Sequence, residues 1–197
     1  LYPIGAFYPA QSGGPDNSMY WMAKALANNF DIRVLTTSKG LSRNFGFNKW
    51  KKTDGFNVIY FKTIFHYLPL RLLWSIIKYI PSTDIVHLTA IFYPASVFSL
   101  VMAKIWGKPV VWSPRGELET KALIYSQFRK KIVLKCVKAL IDDNVTFHVT
   151  SKEESSYTKQ IFGDKVKLVL LPNYMVLPGT LCNKKENYLL RISMLQT

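Results

Sequence analysis

The chain has 197 residues, of which 49% are hydrophobic and 19% charged, and this composition excludes wholesale disorder and allows one domain with a substantial apolar core. Its 26 Lys and Arg against 12 Asp and Glu give a formal net charge of +14, which favours polyanionic partners without choosing among nucleic acid, phospholipid headgroups and phosphorylated substrates. Cys136 and Cys182 match neither a metal-binding spacing nor a disulfide framework, so we expect a cytoplasmic protein.

The first feature along the chain is a glycine pair before an amphipathic segment, in the stretch SGGPDNSMYWMAKAL that begins at Ser12. Glycines at a strand-to-helix turn let the backbone approach a ligand, and the following helix offers free amides to an anion. Gly13 and Gly14 therefore predict a phosphate-binding corner, with an ordinary βα turn as the alternative. A dinucleotide site is disfavoured because it needs three spaced glycines and an acidic residue after the second strand. A P-loop is disfavoured because no Gly-Lys-Ser/Thr follows.

Beyond this corner, short β-branched runs alternate with longer segments that have helical signals. The runs are apolar on both faces, as buried parallel strands are. Predicted strands occupy 31–37, 56–62, 84–90, 109–113, 145–151 and 165–172. Predicted helices occupy 15–29, 69–80, 93–106, 119–141 and 151–162. The alternation predicts an α/β fold with a Rossmann-like, mostly parallel sheet and helices on both faces.

Two local signals refine this pattern. Residues 38–55 are basic and Gly-rich, and we expect a loop there. Ser151 with Glu154 three residues later has the spacing of a capping box. It predicts a helix start at 151, with the Ser hydroxyl and the Glu carboxylate each accepting from a free amide of the first turn.

Prolines and a glycine interrupt the alternation near the end of the sequence, between residues 172 and 187. We therefore expect residues 1–171 to form the Rossmann-like domain. Residues 172–197 are expected to be a linker and the start of a second domain.

Four further stretches, taken with the glycine corner, resemble in order and spacing the N-terminal domain of family 4 glycosyltransferases of the GT-B fold. They are DIVHLTAIFYPAS from 84, GKPVVWSPRGELETKAL from 107, FHVTSKEES from 147 and LVLLPN from 168. The resemblance implies two Rossmann-like domains across a cleft, with the acceptor mainly on the N-terminal domain and the sugar nucleotide mainly on the other. It also implies retaining transfer of a sugar to a hydroxyl, with no metal or cofactor besides the donor substrate.

The resemblance makes the chain the acceptor-side half of such an enzyme, inactive on its own and acting in bacterial cell-surface polysaccharide synthesis. The partners it implies are a sugar nucleotide and a glycan or lipid-linked acceptor. An alternative of a different class is a non-catalytic module that binds a sugar or a phosphate.

The resemblance also suggests roles for individual residues. The glycine pair matches the loop that closes on the donor's phosphates and sugar. His87 and Thr89 lie at a strand end, where open α/β sheets place ligands, and are expected to bind the acceptor. For His87, backbone contacts within the sheet are the alternative. His66 and His148 are expected to be structural.

The block that follows the strand at 109–113 is the most specific part of the resemblance. Arg115, Gly116 and Glu117 are expected to bind the acceptor, because Arg offers a planar fork of donors to a phosphate and Glu accepts from hydroxyls. A mutual salt bridge between Arg115 and Glu117 is the alternative. Asn173 matches a Pro-Asn turn that faces the cleft, with an Asx turn as the alternative.

Residues 65–80 are strongly apolar, interrupted by His66, Arg71 and Lys78. The segment is too short and too charged to span a membrane, so it either covers the sheet or lies in a membrane interface. Together with the net positive charge, it makes an anionic membrane surface, at the inner face of the cytoplasmic membrane, a candidate partner. Nucleic acid is disfavoured, because the basic residues are not interleaved with aromatics in any nucleic-acid-binding motif.

Overall fold

Strands and helices alternate along the chain in the computed structural model, which describes residues 1–10, 14–124 and 127–173. The strands are β1 (Tyr2–Ile4), β2 (Arg33–Thr37), β3 (Trp50–Thr53), β4 (Phe56–Phe61), β5 (Val86–Thr89), β6 (Val110–Ser113), β7 (Val145–Val149) and β8 (Lys167–Leu170). The helices are α1 (Gly14–Leu26), α2 (Leu70–Tyr79), α3 (Pro94–Ile105), α4 (Thr120–Ile124), α5 (Gln127–Leu140) and α6 (Lys152–Phe162), with a 3₁₀ turn at Ile80–Ser82. None of the helices in these ranges is long and apolar enough to cross a membrane.

The strands form two four-stranded sheets, with the orders β3-β4-β2-β1 and β5-β6-β7-β8. Strands β1 and β5 lie side by side where the sheets meet, joined by bonds from Leu1 N to Ile85 O and from His87 N to Leu1 O, both at 2.8 Å. All strand pairs within the sheets are parallel except that of β3 with β4. The predicted α/β fold with a mostly parallel sheet is confirmed.

Two apolar cores lie on opposite faces of the strands, since successive residues of a strand point to opposite sides. Helices α2, α3, α5 and α6 contribute to the core that contains Leu35 and Ile59. Helix α1 contributes to the core that contains the neighbouring residues Val34 and Val58. Helices therefore cover both faces, as predicted.

The prediction of a loop over 38–55 is wrong at its end, where β3 pairs with β4 as an antiparallel edge strand. Asp54 and Gly55 connect the two strands with φ of +46° and +88°. An Asp-Gly pair is the usual chemistry of a tight hairpin, since both positions need a left-handed backbone. The basic, Gly-rich composition of the segment concealed this local signal.

The other predicted boundaries agree with the structure in part. The helix predicted over 119–141 corresponds to α4 and α5, with residues 125 and 126 outside the described ranges. Helix α6 begins as predicted, because Ser151 Oγ accepts from Glu154 N at 3.1 Å. Of the residues 172–197 expected to be a linker and the start of a second domain, only 172 and 173 are among the described residues.

Candidate functional site

A cavity of about 350 Å³ opens at the carboxyl edge of the sheet, where β1 and β5 end. From β1 the chain leads through α1 to β2 on one side, and from β5 it leads through α3 to β6 on the other. Such a reversal leaves a crevice outside the strand ends, the usual place for a ligand in an open α/β sheet. The lining comes from the end of β1, the start of α1 and the end of β5, together with Lys39, His66, Tyr67 and Tyr93.

Two hydroxyl groups of this cavity have no hydrogen-bond partner among the described residues. They are Thr89 Oγ1, at the end of β5, and Tyr93 OH, just before α3, and both atoms are buried. Leaving a buried polar group unpaired costs about 1–3 kcal/mol. Burial raises the pKa of Tyr93, so its phenol stays protonated and both groups can donate and accept at neutral pH. They are suited to a ligand rich in hydroxyl groups.

Charged groups stand at the same cavity. Lys39, from the loop after β2, and Asp16, in the first turn of α1, both line it. A helix start carries free amides and a partial positive charge, so α1 and Lys39 favour a phosphate or another anion, while the Asp16 carboxylate opposes it. The cavity therefore combines groups for hydroxyls with groups for negative charge.

Gly5 and Gly14, both near this edge, differ in the space around their Cα atoms. A Cβ on Gly5 would lie 3.1 Å from the ring of Tyr93, so the glycine allows this ring to pack on the end of β1. A Cβ on Gly14, the first residue of α1, would meet no atom within 4 Å. Gly13 lies outside the described residues, and its predicted contact with the donor remains a prediction.

Arg115 lies in the loop after β6, two residues past the register partner of Thr89. Its Nη1 donates to Asn173 Oδ1, and its Nη2 lies 3.4 Å from Met19 Sδ on α1. Its Nε is buried without a hydrogen-bond partner among the described residues. The structure thus brings Arg115 and Asn173 together at the carboxyl edge. Burial lowers the pKa of the Arg115 guanidinium, and the Glu154 carboxylate acts in the opposite direction.

Two left-handed residues stand at adjacent strand ends, Ala90 after β5 with φ of +66° and Arg115 after β6 with φ of +56°. A non-glycine residue in this region costs about 1–3 kcal/mol and persists only where surrounding contacts hold it. Ala90 N donates to Ser113 O and Trp112 Nε1 donates to Ala90 O, both at 3.1 Å, and two glutamates add further contacts to the two loops.

Glu117 holds the loop after β5 and does not pair with Arg115. Its Oε2 accepts from Ile91 N at 2.5 Å and from Phe92 N at 3.1 Å, which fixes the turn between β5 and α3. Burial raises the pKa of Glu117, and the two amide bonds oppose that shift. The salt bridge to Arg115, considered as an alternative from the sequence, is not formed. Glu117 therefore positions the segment that carries Tyr93.

Glu154 holds the second loop. Its Oε1 accepts from Gly116 N at 2.7 Å, and its Oε2 accepts from Thr150 N at 2.7 Å and Thr150 Oγ1 at 2.9 Å. The capping-box prediction is therefore right for Ser151 but wrong for the glutamate, whose carboxylate joins the start of α6 to the loop after β6. This long-range contact has no local signal in the sequence.

His87 takes part in a buried chain of hydrogen bonds that crosses three strands. Its Nε2 lies 2.9 Å from Ser113 Oγ, which lies 2.9 Å from His148 Nδ1, and His148 Nε2 lies 3.0 Å from Leu171 O. Because a carbonyl only accepts, His148 donates to Leu171, Ser113 donates to His148 and His87 donates to Ser113 when both imidazoles are neutral. Burial lowers the pKa of both histidines.

The structure places His87 and His66 differently from the sequence prediction, which assigned His87 to the acceptor and the other two histidines to structural roles. His87 lines a second cavity, of about 310 Å³, next to Leu1, Tyr2 and Arg33, and does not line the one at the carboxyl edge. His148 has the structural role expected of it. His66, also expected to be structural, lines the carboxyl-edge cavity, and its Nδ1 lies 3.5 Å from Thr63 Oγ1.

The buried histidines predict that the protein loses stability in mild acid. Since the pKa of folded His87 is well below 6.5, the unfolded chain binds a proton below pH 6.5 that the folded chain does not. The free energy of unfolding then falls by about 1.4 kcal/mol per pH unit below about 6.5, until the folded pKa is reached. His87→Gln, which can still donate to Ser113, is expected to flatten this slope in urea titrations.

The comparison with the variant isolates His87 from His148. Burial also lowers the pKa of His148, which gives a slope of the same sign below about pH 6.5 in both proteins. The same pH dependence in wild type and His87→Gln would contradict the prediction.

No protein-family model matches the chain, and no curated protein is significantly similar to it. The α/β fold and the chemistry of the carboxyl-edge cavity are therefore the grounds on which a function can be proposed.

Proposed function

We propose that the chain is the acceptor-side half of a retaining glycosyltransferase of the GT-B type. The enzyme transfers a sugar from a sugar nucleotide to a hydroxyl of a glycan or lipid-linked acceptor, in the synthesis of a bacterial cell-surface polysaccharide. The observation that carries the proposal is the carboxyl-edge cavity, in which the unpartnered hydroxyls of Thr89 and Tyr93 lie beside Lys39 and the start of α1.

The proposed ligand follows from this set of groups. Sugar hydroxyls pair with Thr89 Oγ1 and Tyr93 OH, which removes the cost of two unsatisfied buried groups. Lys39 and the first turn of α1 face the phosphate that a sugar nucleotide or a phosphorylated acceptor carries. During transfer, negative charge develops on the departing diphosphate, where preorganised amides and cations stabilise it best.

Arg115 gives the proposal a second contact at the same edge. Its guanidinium has a buried Nε without a partner among the described residues, and one Nη bonded to the neutral Asn173 side chain. A planar fork of donors suits two oxygens of a phosphate or of adjacent hydroxyls. We assign Arg115 to acceptor binding, with Asn173 and Glu154 as positioning residues.

The hydroxyls of Thr89 and Tyr93 provide the test. Thr89→Val and Tyr93→Phe are each expected to weaken binding of the tightest ligand in a panel of nucleoside diphosphate sugars and hexose 1-phosphates by about tenfold. The same changes are expected to leave the free protein as stable as wild type or more so, because each removes a buried hydroxyl without a partner. Calorimetric titration and urea unfolding measure the two effects.

Thr36→Val is the matched control, since Thr36 Oγ1 is also buried without a partner among the described residues but does not line the cavity. It is expected to share the effect on stability and to leave ligand binding unchanged. Equal weakening by all three variants, or no binding of any member of the panel, would contradict the assignment of the cavity. Binding without sugar transfer by the complete protein would favour the non-catalytic module.

A further inference from the structure

An exposed apolar surface runs from the segment before α2 along the outer side of that helix. We call it the apolar ridge. Its side chains are between 40% and 86% exposed, whereas large apolar side chains of a helix that only covers a sheet are turned inward. The ridge consists of Ile64, Phe65, Tyr67, Leu68, Leu70, Trp74 and Ile77.

Helix α2 is apolar on two sides. Leu72 and Ile76 are fully buried against the sheet, and the outer side carries Leu70, Trp74 and Ile77, at the spacing of one helical stripe. Trp74 alone is 74% exposed. Packing against the sheet explains the first side and leaves the second without a partner among the described residues.

Positive charge borders this stripe. Arg71 and Lys78, both exposed, follow Leu70 and Ile77 by one residue and therefore lie along one side of it. Strand β3 adds the exposed Lys52. It lies on the same face of the strand as Trp50, and Trp50 Nε1 donates to Tyr79 OH at the end of α2. The sequence from 55 to 83 contains no Asp or Glu.

We propose that the apolar ridge docks on an anionic lipid surface. Aliphatic and aromatic side chains enter the boundary between headgroups and acyl chains, while Arg71 and Lys78 pair with lipid phosphates, as in an interfacial amphipathic helix. Each basic residue near such a surface strengthens binding roughly fivefold. The formal charge of +14 adds a long-range attraction of the same sign.

The chemistry of the ridge distinguishes this occupant from two others. A nucleic acid offers phosphates to Arg71 and Lys78 but no apolar phase for Ile64, Leu68 and the stripe on α2. A second copy of the chain, related by a twofold axis, would bring the same basic residues against each other. A lipid surface alone supplies both phosphates and hydrocarbon.

The ridge is continuous with the carboxyl-edge cavity, since Tyr67 belongs to both and is 81% exposed. Docking would therefore place the cavity next to the lipid headgroups, where a lipid-linked acceptor would carry its sugar. This last point rests on the proposed function, whereas the docking itself does not.

Vesicle binding tests the docking. The chain is expected to sediment with vesicles of phosphatidylglycerol and phosphatidylcholine and to bind phosphatidylcholine vesicles at least about tenfold more weakly. Raising the salt concentration from about 0.1 M to about 1 M should release it, because the Debye length falls from about 10 Å to about 3 Å.

Two double variants separate the charged and apolar contributions. Arg71→Gln with Lys78→Gln is expected to weaken binding about 20-fold, and Leu70→Ser with Trp74→Ser by at least about tenfold. Lys152→Gln with Lys159→Gln is the matched charge control, because these exposed lysines of α6 have the same spacing. Trp106→Ser is the matched apolar control, as Trp106 is 51% exposed at the end of α3. Both controls are expected to bind as wild type does.

A spectroscopic readout guards against a variant that misfolds. Trp74→Phe keeps an aromatic ring at the position, and the blue shift of tryptophan emission on adding anionic vesicles is expected to shrink in this variant. Equal binding to both kinds of vesicle, unchanged binding by both double variants, or an unchanged blue shift would each overturn the proposal. So would a salt-sensitive complex with duplex DNA in the absence of vesicle binding, or a dimer that both double variants dissociate.

Discussion

Under the proposed function, replacing Arg115 with lysine is expected to lower sugar transfer by the complete protein by about 10- to 100-fold, the value of one or two hydrogen bonds to a charged group. Lysine keeps the positive charge but loses the planar fork and the Nε donor that lies buried without a partner among the described residues. The thermal unfolding midpoint should change little, because the bonds of Arg115 within the protein go to the uncharged partners Asn173 and Met19. Initial rates at saturating donor and varied acceptor measure the effect.

Lys135→Ala is the control for this experiment, since Lys135 is exposed on α5 and lies on neither cavity. It is expected to leave transfer to a soluble acceptor unchanged. If Arg115→Lys instead lowers the unfolding midpoint strongly, Arg115 is a structural contact between α1 and residue 173. Its assignment to the acceptor then fails.

The parallel part of the sheet could be read from the sequence because its strands, except the exposed edge strand β8, are buried on both faces. Runs such as Val145–Val149 consist mostly of β-branched and aromatic residues, and helices separate most of them. Burial fixes such strands strongly, so local sequence and final structure agree. Strand β3 follows another rule, since it is an edge strand whose lysines make its sequence resemble a loop and whose position depends on the Asp54–Gly55 turn.

The candidate site could be predicted only in part. Thr89 ends one strand and Arg115 follows another, and parallel strands end at one edge of a sheet, so their common location could be predicted from their spacing. Tyr93, Lys39 and His66 enter the cavity from three different loops, and no periodicity predicts where a loop side chain will point. His87 was assigned to the same edge because it is near the end of β5, but it lies two residues before Thr89 on the same face, back from the edge, where it joins the hydrogen-bond chain with Ser113.

The glutamates were the least predictable members of the site. Glu117 and Glu154 contact backbone amides that are distant in sequence, and such pairs exist only after the strands have been placed side by side. Sequence alone suggested a ligand for one and a helix cap for the other. In the structure, both hold loops whose backbone is otherwise unfavourable.

Removing the Glu154 carboxylate is therefore expected to destabilise the fold severely. Glu154→Ala leaves the donors of Gly116 N, Thr150 N and Thr150 Oγ1 without their acceptor in a buried environment. With bonds to a charged group each contributing about 1.5–3 kcal/mol and partial rescue by water, we expect a loss of about 3–5 kcal/mol in the free energy of unfolding. Urea titration at neutral pH measures it.

Two further variants show whether the loss comes from these bonds. Glu154→Gln keeps the shape and one acceptor oxygen, so it should cost about half as much as Glu154→Ala. Glu153→Ala, at the exposed neighbour in the same helical turn, removes contacts only to Ser151 and to its own amide, so it is expected to cost much less than Glu154→Ala. The bond to Gly116 N also holds the left-handed backbone of Arg115. Glu154→Gln should therefore weaken ligand binding by the folded protein as well as lower its stability. If Glu154→Ala and Glu153→Ala unfold at the same urea concentration, the carboxylate does not hold the loop, and the positioning role assigned to Glu154 is wrong.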